Sequence, residues 1–170
     1  MNYKILFCIF FIFALFQKSA FTDEININSS KIKVLDEVNI ISALNVKADI
    51  PDKKIEIEGD KSIYDKKNSQ LTIINNVKFF DNLKNVYIEG EKVIYNQLTD
   101  LIQTFDKTFI IIEDKYYVYS NDLFYDRKSQ KIYSNKETII KDNKQNVFNL
   151  EGNFILYLFY IYIISKKCIF

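Results

Sequence analysis

The sequence predicts an almost entirely β chain built from hairpin-like units of about 30 residues arranged in series. Residues 55–64, IEIEGDKSIY, return at residues 86–95 as VYIEGEKVIY, a shift of 31 positions. In both phrases apolar residues alternate with other residues, and a period of two is the side-chain period of a β-strand. No stretch beyond residue 22 shows the 3.6-residue period of an amphipathic helix.

The first 22 residues predict an export signal peptide. Lys4 supplies a positive charge, residues 5–16 form the apolar run ILFCIFFIFALF, and the chain then becomes polar. This order is typical of a signal peptide, and the run is shorter than the roughly 20 residues of a membrane-spanning helix. Two alternatives stay open: the signal is cleaved after residue 22, or residues 5–16 stay as a membrane anchor. Cys8 lacks the preceding small residues of a lipoprotein, so we expect no lipidation.

The mature chain has nearly balanced charge and a single cysteine. Loss of Lys4 and Lys18 leaves 21 basic and 22 acidic residues, a net charge of −1. No basic stripe indicates nucleic acid, so we expect no nucleic-acid partner. Cys168 has no second cysteine to pair with, so the sheet and its core must hold an exported chain together. An apolar content of 48% is enough for one domain with a core.

The unit occurs four times in the mature chain. From Ile55 it returns at Val86, Tyr116 and Phe148, at shifts of 31, 30 and 32 residues. Each copy alternates around a small central residue such as Gly59, which is typical of a bulge or bend. A polar turn and a second strand complete the unit. We interpret the repeated pairs at its centre as a strand end followed by a turn-starting residue, not as a site: Tyr64-Asp65, Tyr95-Asn96 and Tyr125-Asp126.

The alternation also predicts which apolar side chains point inward. Carried through every central residue in constant phase, it gives Ile55, Ile57, Ile63, Leu71, Ile73, Val77, Phe79, Val86, Ile88, Ile94, Ile102, Ile110, Val118, Phe124, Ile132 and Ile140. Outward side chains on the same strands include Glu56, Glu58, Tyr87 and Glu89. At any single position ordinary core burial explains the spacing. The regular unit length favours a stacked or rolled sheet.

Several kinds of chemistry are missing from the chain. It contains no histidine, which excludes a Ser-His-Asp triad, an imidazole base and histidine ligands for zinc. One mature cysteine cannot form a thiolate metal site, and there is no glycine-rich phosphate loop. We therefore expect no enzyme, no cofactor and no metal.

Two units, GDKSIYDKKNSQLTIINNVKFF at 59–80 and LFYDRKSQKIYSNKETII at 123–140, resemble the repeats of the OstA-like periplasmic family of lipopolysaccharide-transport proteins. The shared pattern is a small residue, an apolar-Tyr-Asp/Asn step, a polar turn and an apolar strand. The resemblance covers about residues 25–153. The stretch ADIPDKKIEIEGDKSIYD is most similar to the N-terminal domain of the family's outer-membrane assembly protein, and the bridge protein and its inner-membrane-anchored counterpart are related.

The resemblance implies a β-jellyroll, an open two-sheet roll whose apolar interior holds the acyl chains of lipopolysaccharide. The sixteen inward residues would then line a lipid-binding groove. Edge strands would pair with other OstA-like domains by β-strand augmentation, and we place these edges at Ile40–Ala48 and from Val147 onward. The implied location is the periplasm, with outer-membrane association if the chain is part of the assembly protein.

The expected domain organisation is a signal at 1–22, the OstA-like domain at 23–153 and an apolar tail at 154–170. The tail, FILYLFYIYIISKKCIF, loses the polar alternation. It is a last strand pair, the truncated or out-of-frame end of a longer protein, or a membrane-associating segment. Two alternative functions stay open: an exported structural β-repeat protein with a dry core, and an inner-membrane-anchored transport component.

Overall fold

A computed structural model describes residues 24–36 and 39–158, and the backbone of residues 162–165 and 168–169. The predicted signal peptide and the alternative anchor lie outside the described residues. Within the described part, fifteen strands in antiparallel pairs accompany one short 3-10 helix, Pro51–Lys53, so the predicted all-β class is confirmed. The described residues hold no helix long and apolar enough to cross a membrane.

Five long strands form the body of the fold, and shorter strands flank them. The long strands are β3 (Ile40–Ile50), β4 (Ile55–Asp65), β5 (Gln70–Asp81), β6 (Val86–Asn96) and β7 (Leu101–Ile112). The shorter ones are β1 (Asn26–Asn28), β2 (Lys31–Leu35), β8 (Tyr116–Asn121), β9 (Phe124–Asp126), β10 (Lys131–Ser134), β11 (Thr138–Asp142), β12 (Val147–Leu150), β13 (Phe154–Tyr157), β14 (Tyr162–Ser165) and β15 (Cys168–Ile169).

Polar turns follow the repeated tyrosines, as predicted. In each, the residue after the tyrosine accepts a hydrogen bond from the backbone N–H three residues on. These contacts are Asn68 N to Asp65 Oδ1 at 3.1 Å, Thr99 N to Asn96 Oδ1 at 2.9 Å and Ser129 N to Asp126 Oδ1 at 3.0 Å. This side-chain mimic of a backbone turn is the reason Asp and Asn begin turns. Hydrogen bonds from Asn68 also hold the pKa of Asp65 below its ordinary value.

The long strands are interrupted near their middle. The register shifts between β4 and β5 at residues 58–61, between β5 and β6 at 74–77, and between β6 and β7 at 90–92. Left-handed residues mark the interruptions, with φ of 50° at Asn45, 63° at Asn75 and 61° at Asp106. Asn and Asp tolerate this conformation better than most residues. The predicted bend in each unit is therefore present, and the interruptions form a continuous row across the sheet, which we call the bulge line.

The bulge line divides the sheet into two arms. Arm A contains the halves of the long strands that lie next to the turns at 51–54, 82–85 and 113–115. It also contains the short strands β1, β8, β11, β12 and β15. Arm B holds the half-strands that adjoin the turns at 66–69 and 97–100, with β2, β9, β10, β13 and β14. The sheet forks at β7, where residues 107–112 pair with β8 and residues 101–103 pair with β9.

The two arms fold onto each other and bury their inner faces. Contacts between their far ends show this closure: Tyr125 of arm B donates a hydrogen bond from Oη to Asp81 Oδ2 of arm A at 2.8 Å. We call this side, opposite the bulge line, the open side. Among the described strands, no strand pairing joins the two arms across this side. The molecule is therefore an open two-sheet roll, as predicted.

The edges of the sheet differ in part from expectation. The predicted edge at Ile40–Ala48 is wrong, because β2 pairs with residues 40–44 of β3 and β1 pairs with residues 47–49. The edge is one strand further out and is formed by β1 and β2. At the other end β14 and β15 are outermost, beyond Val147. The start of the apolar tail, Phe154–Tyr157, is strand β13, which pairs with β10 in arm B.

The two repeat glycines on the bulge line predict different mutational costs. A Cβ at Gly59 would lie 2.4 Å from Cγ2 of buried Ile73 and 3.2 Å from the carbonyl oxygen of Asn75, whereas at Gly90 the nearest atoms are 3.6 Å or more away. Gly59→Ala should lower the free energy of unfolding by about 1–3 kcal/mol through overpacking, and Gly90→Ala should change it by less than about 0.5 kcal/mol. Urea unfolding midpoints measure both, and equal midpoints would contradict this packing at Gly59.

Candidate functional site

The inner faces of the two arms enclose an apolar interior. Thirteen of the sixteen predicted inward residues lie in it, each at most 2% exposed. They are Ile55, Ile57, Leu71, Ile73, Val77, Phe79, Val86, Ile88, Ile102, Ile110, Val118, Ile132 and Ile140. Removal of this much apolar surface from water is the main source of the fold's stability.

The inward prediction is wrong for Ile63, Ile94 and Phe124. All three are only partly buried and lie on the outer face of arm B, while the residues before them in the chain, Ser62, Val93 and Leu123, are buried. The central residue of each copy occupies a bulge or bend, and the extra residue shifts the alternation by one position beyond it. Gly59 and Gly90 are the sequence signal of this shift, because a central glycine in a strand is typical of a bulge, and an alternation of constant phase ignores it.

On β5 and β7 the alternation of inward and outward side chains is the same on both sides of the bulge line. On β5, Ile73 and Val77 are both buried, although Asn75 and Asn76 between them are left-handed. On β7, Ile102 and Ile110 are likewise both buried. The predicted inward residues on these second strands are therefore correctly placed on both arms.

At the open side of the roll, a buried cluster of ion pairs joins the two arms. Arg127 lies between two carboxylates: its Nε is 2.6 Å from Asp81 Oδ2, and its Nη1 is 2.9 Å from Asp100 Oδ2. Its Nη2 donates to the backbone carbonyl of Lys53 at 3.0 Å. Such planar, charge-assisted contacts are the strongest class of hydrogen bond in proteins. Arg127, Asp81 and Asp100 are all buried.

Lys53 and two of the repeated tyrosines complete the cluster. Lys53 Nζ donates to Tyr95 Oη at 2.9 Å and lies 3.3 Å from Asp100 Oδ1. Tyr95 Oη donates to Asp100 Oδ1 at 2.9 Å, and Tyr125 Oη donates to Asp81 Oδ2. We call Lys53, Asp81, Tyr95, Asp100, Tyr125 and Arg127 the open-side cluster. Two positive and two negative side chains balance its charge.

The alternating pattern of the sequence does not reveal the open-side cluster. The prediction that Tyr95 and Tyr125 are strand ends is correct for their backbones, but their hydroxyl groups are polar partners inside the roll. Arg127 is the only arginine in a chain that otherwise uses lysine. That exception was the available signal, because the guanidinium can bind two carboxylates in one plane and an ammonium group cannot.

The cluster changes the ionisation of its own groups. Burial, followed by the negative charge of Asp81 and the hydrogen bond to it, raises the pKa of Tyr125 far above its ordinary value. Burial opposes the charge on Arg127, but its hydrogen bond to Asp81 and the charges of Asp81 and Asp100 outweigh burial and raise its pKa. Tyr125 is therefore neutral and Arg127 charged across the physiological range.

The outer face of arm A carries the predicted outward residues. Lys47 Nζ lies 2.9 Å from Glu58 Oε1 and 3.9 Å from Glu56 Oε2, and Tyr87 donates to Glu89. These pairs belong to a solvated strand surface. Nearby, a groove of about 690 Å³ lies along the bulge line, lined in part by Lys78, Glu89, Phe109, Tyr119 and Ile139.

The described residues contain no group of three or more Cys, Asp or Glu side chains able to hold a metal ion. Asp81 and Asp100 are the buried carboxylates of the open-side cluster, and Arg127 binds both. The cluster is thus built to connect the arms.

The pKa shift of Tyr125 makes stability depend on pH in the alkaline range. Because the folded pKa exceeds the unfolded value of about 10, its contribution is complete below that pH and is lost as pH rises further. Tyr125→Phe should cost about 1.5–3 kcal/mol at pH 7 through the lost hydrogen bond to a charged group. Its stability should then fall less steeply than wild type above about pH 10. Urea titrations across this range measure the slopes, and equal slopes would contradict a buried neutral Tyr125.

Comparisons with known proteins address the fold. No protein-family model and no curated protein sequence matches the chain. Among solved structures, the chain is similar to LptH of Pseudomonas aeruginosa, the LptA-homologous periplasmic component of a lipopolysaccharide transport device. The TM-score is 0.50 and the sequence identity 12%, over 77% of this chain and 87% of that one. The chain therefore has the β-jellyroll fold of this LptA homologue.

Proposed function

We propose that the chain is a lipid-carrying module of a lipopolysaccharide-transport system, which shelters acyl chains between its arms. The observation that carries the proposal is the apolar inner face that extends over both arms of an unclosed roll. The fold shared with LptH and the OstA-like repeat pattern support it. The periplasm is the proposed location, and no bond is made or broken in this function.

The way the arms are joined suits a groove that opens. Along the bulge line continuous strands connect the arms, while the open side is held by side-chain contacts such as those of Arg127. Separation of the arms at the open side therefore requires no loss of pairing between the described strands. An acyl chain between the separated arms would cover the apolar surface that opening exposes, which stabilises the open form by about 25 cal/mol per Å² of surface removed from water.

The edge strand β2 supports the proposed partners, other OstA-like domains. Ile32 and Val34 are 55% and 52% exposed, and Leu35 is also exposed. No described strand pairs with the outer side of β2. An unpaired apolar edge is a template for β-strand augmentation. We propose that β2 receives a strand from the neighbouring domain.

We also propose that the chain associates with the outer membrane. Similarity of residues 48–65 to the N-terminal domain of the outer-membrane assembly protein supports a place at the outer membrane. The inner-membrane-anchored alternative depends on residues 5–16, and the mass of the mature N-terminus distinguishes it from a cleaved form.

One observation favours the second candidate, an exported structural protein with a dry core. Side chains fill the interior closely enough to leave the thirteen inward residues at most 2% exposed. A closed core needs no ligand to satisfy its packing. The two candidates differ in whether lipid ever reaches these residues.

Photo-crosslinking in cells tests the lipid groove with two positions on one strand. A photoreactive side chain at Ile88, which faces the interior, should capture lipopolysaccharide, and one at Ile94, on the outer face, should not. Both positions are isoleucines of β6, so expression and local backbone are matched. Phe79 and Ile110 serve as further interior positions, and Glu58 and Glu89 as polar outer controls. Capture of protein alone from Ile88, Phe79 and Ile110 in the folded domain would favour the dry core.

Proline substitution tests the edge. Neighbouring N–H groups of an edge strand point alternately toward and away from its partner, so one of Ile32→Pro and Lys33→Pro removes only an outward donor. That variant should lose linear oligomers and keep its circular dichroism spectrum, whereas the other should also lose β2–β3 pairing. Sedimentation velocity measures the oligomers. Oligomers of unchanged size in both variants would place the interface elsewhere.

A further inference from the structure

The open-side cluster connects segments from both arms. Asp81, at the end of β5, and Lys53, in the β3–β4 turn, belong to arm A, whereas Tyr95, Asp100 and Arg127 belong to arm B. Contacts across the open side include Arg127 Nε to Asp81 Oδ2 at 2.6 Å and Lys53 Nζ to Gln97 O at 3.2 Å. The cluster therefore holds the arms together at a place where none of the described strands pair.

The chemistry of the cluster suits a reversible contact. Burial of ion pairs costs desolvation that largely offsets their mutual attraction. When the arms separate, charged groups at the open side regain water, whereas an apolar seam there would be exposed to water at a cost. The cluster thus fixes the closed geometry through Arg127 without making opening prohibitive. The bulge line on the opposite side keeps the arms joined by continuous strands.

We propose that the open-side cluster is a latch: it closes the roll reversibly, and the arms separate at the open side, with the bulge line as hinge, to admit an acyl chain. Only the identity of the entering molecule rests on the proposed function. The latch and hinge rest on the contacts of Arg127, Lys53 and Asp81 and can be tested without lipid.

Labelling of a buried thiol measures opening. In the full chain with Cys8→Ser and Cys168→Ser, Val86→Cys places a thiol in the interior beside Asp81, its partner in the β5–β6 pair. The latch variant is Arg127→Met with Asp81→Asn, which retains the balanced pair Lys53–Asp100. Loss of charge-assisted hydrogen bonds should accelerate reaction of this thiol with a maleimide by about tenfold or more. Circular dichroism should show that the fold is retained.

Two controls distinguish an opening latch from general destabilisation. Lys47→Met with Glu58→Gln removes an ion pair of 2.9 Å from the outer face and should leave the labelling rate unchanged. A thiol at Val77, beside the bulge line, should gain less than the thiol at Val86 when the latch is removed, because a hinge moves least at its axis. Equal acceleration at both positions, or none at Val86, would overturn the latch. Lys53→Met, which keeps Arg127 and both carboxylates, should accelerate labelling to a smaller extent.

Binding of cis-parinaric acid, a fluorescent fatty acid, separates failure of the latch from failure of the proposed function. If the latch admits acyl chains, its removal should increase the association rate in parallel with thiol labelling. Faster labelling with no fatty acid bound by either protein would support the hinge and overturn entry of acyl chains together with the lipid function. Fatty-acid binding to wild type at a rate unchanged in the latch variant would leave the lipid function in place and overturn the latch.

Discussion

The bulge line is the constraint on which the rest of the molecule depends. Strands β4 to β7 are 11 or 12 residues long, and in a flat sheet the turns at their two ends would lie about 35 Å apart. The bend brings these ends together, so that Lys53 Nζ, beside a turn of arm A, is 3.2 Å from the carbonyl of Gln97 in a turn of arm B. Because the ladder continues on both sides, neighbouring strands must bend at the same level. Because the strands all bend at this level, the sheet encloses an interior and its two ends meet at the open side, where the ion-pair cluster forms.

Local rules were enough to predict the repeated strands and the turns between them. Asp65 and Asp126 accept the turn hydrogen bonds that their residue type predicts, and alternation placed residues such as Ile57 and Ile110 in the core. The same rule misplaced Ile94, because one extra residue in a bulge reverses every later side chain. The edge at β3 was also misplaced. The strands β1 and β2 are only three and five residues long and lack the repeat pattern.

The open-side cluster could not be predicted from local pattern, because its members come from turns and strand ends far apart in the chain. Asp81 and Arg127 are 46 residues apart, and only the bend makes them neighbours. Buried charges are tolerated when each one has a partner of opposite charge and further hydrogen bonds. Arg127 meets this condition with Asp81, Asp100 and the carbonyl of Lys53. A lysine at this position would supply one point charge where three acceptors lie in different directions.

The repeat unit determines how the protein can change in length. Each unit of about 31 residues adds one strand pair that crosses from one arm to the other and back. Insertion or deletion of one complete unit would lengthen or shorten the roll by about 10 Å and leave its cross-section unchanged. Insertion of a single residue within a strand would instead exchange inward and outward side chains along the rest of that strand. The fold can therefore lengthen or shorten only by whole pairs of strands, as other repeat proteins do by whole repeats.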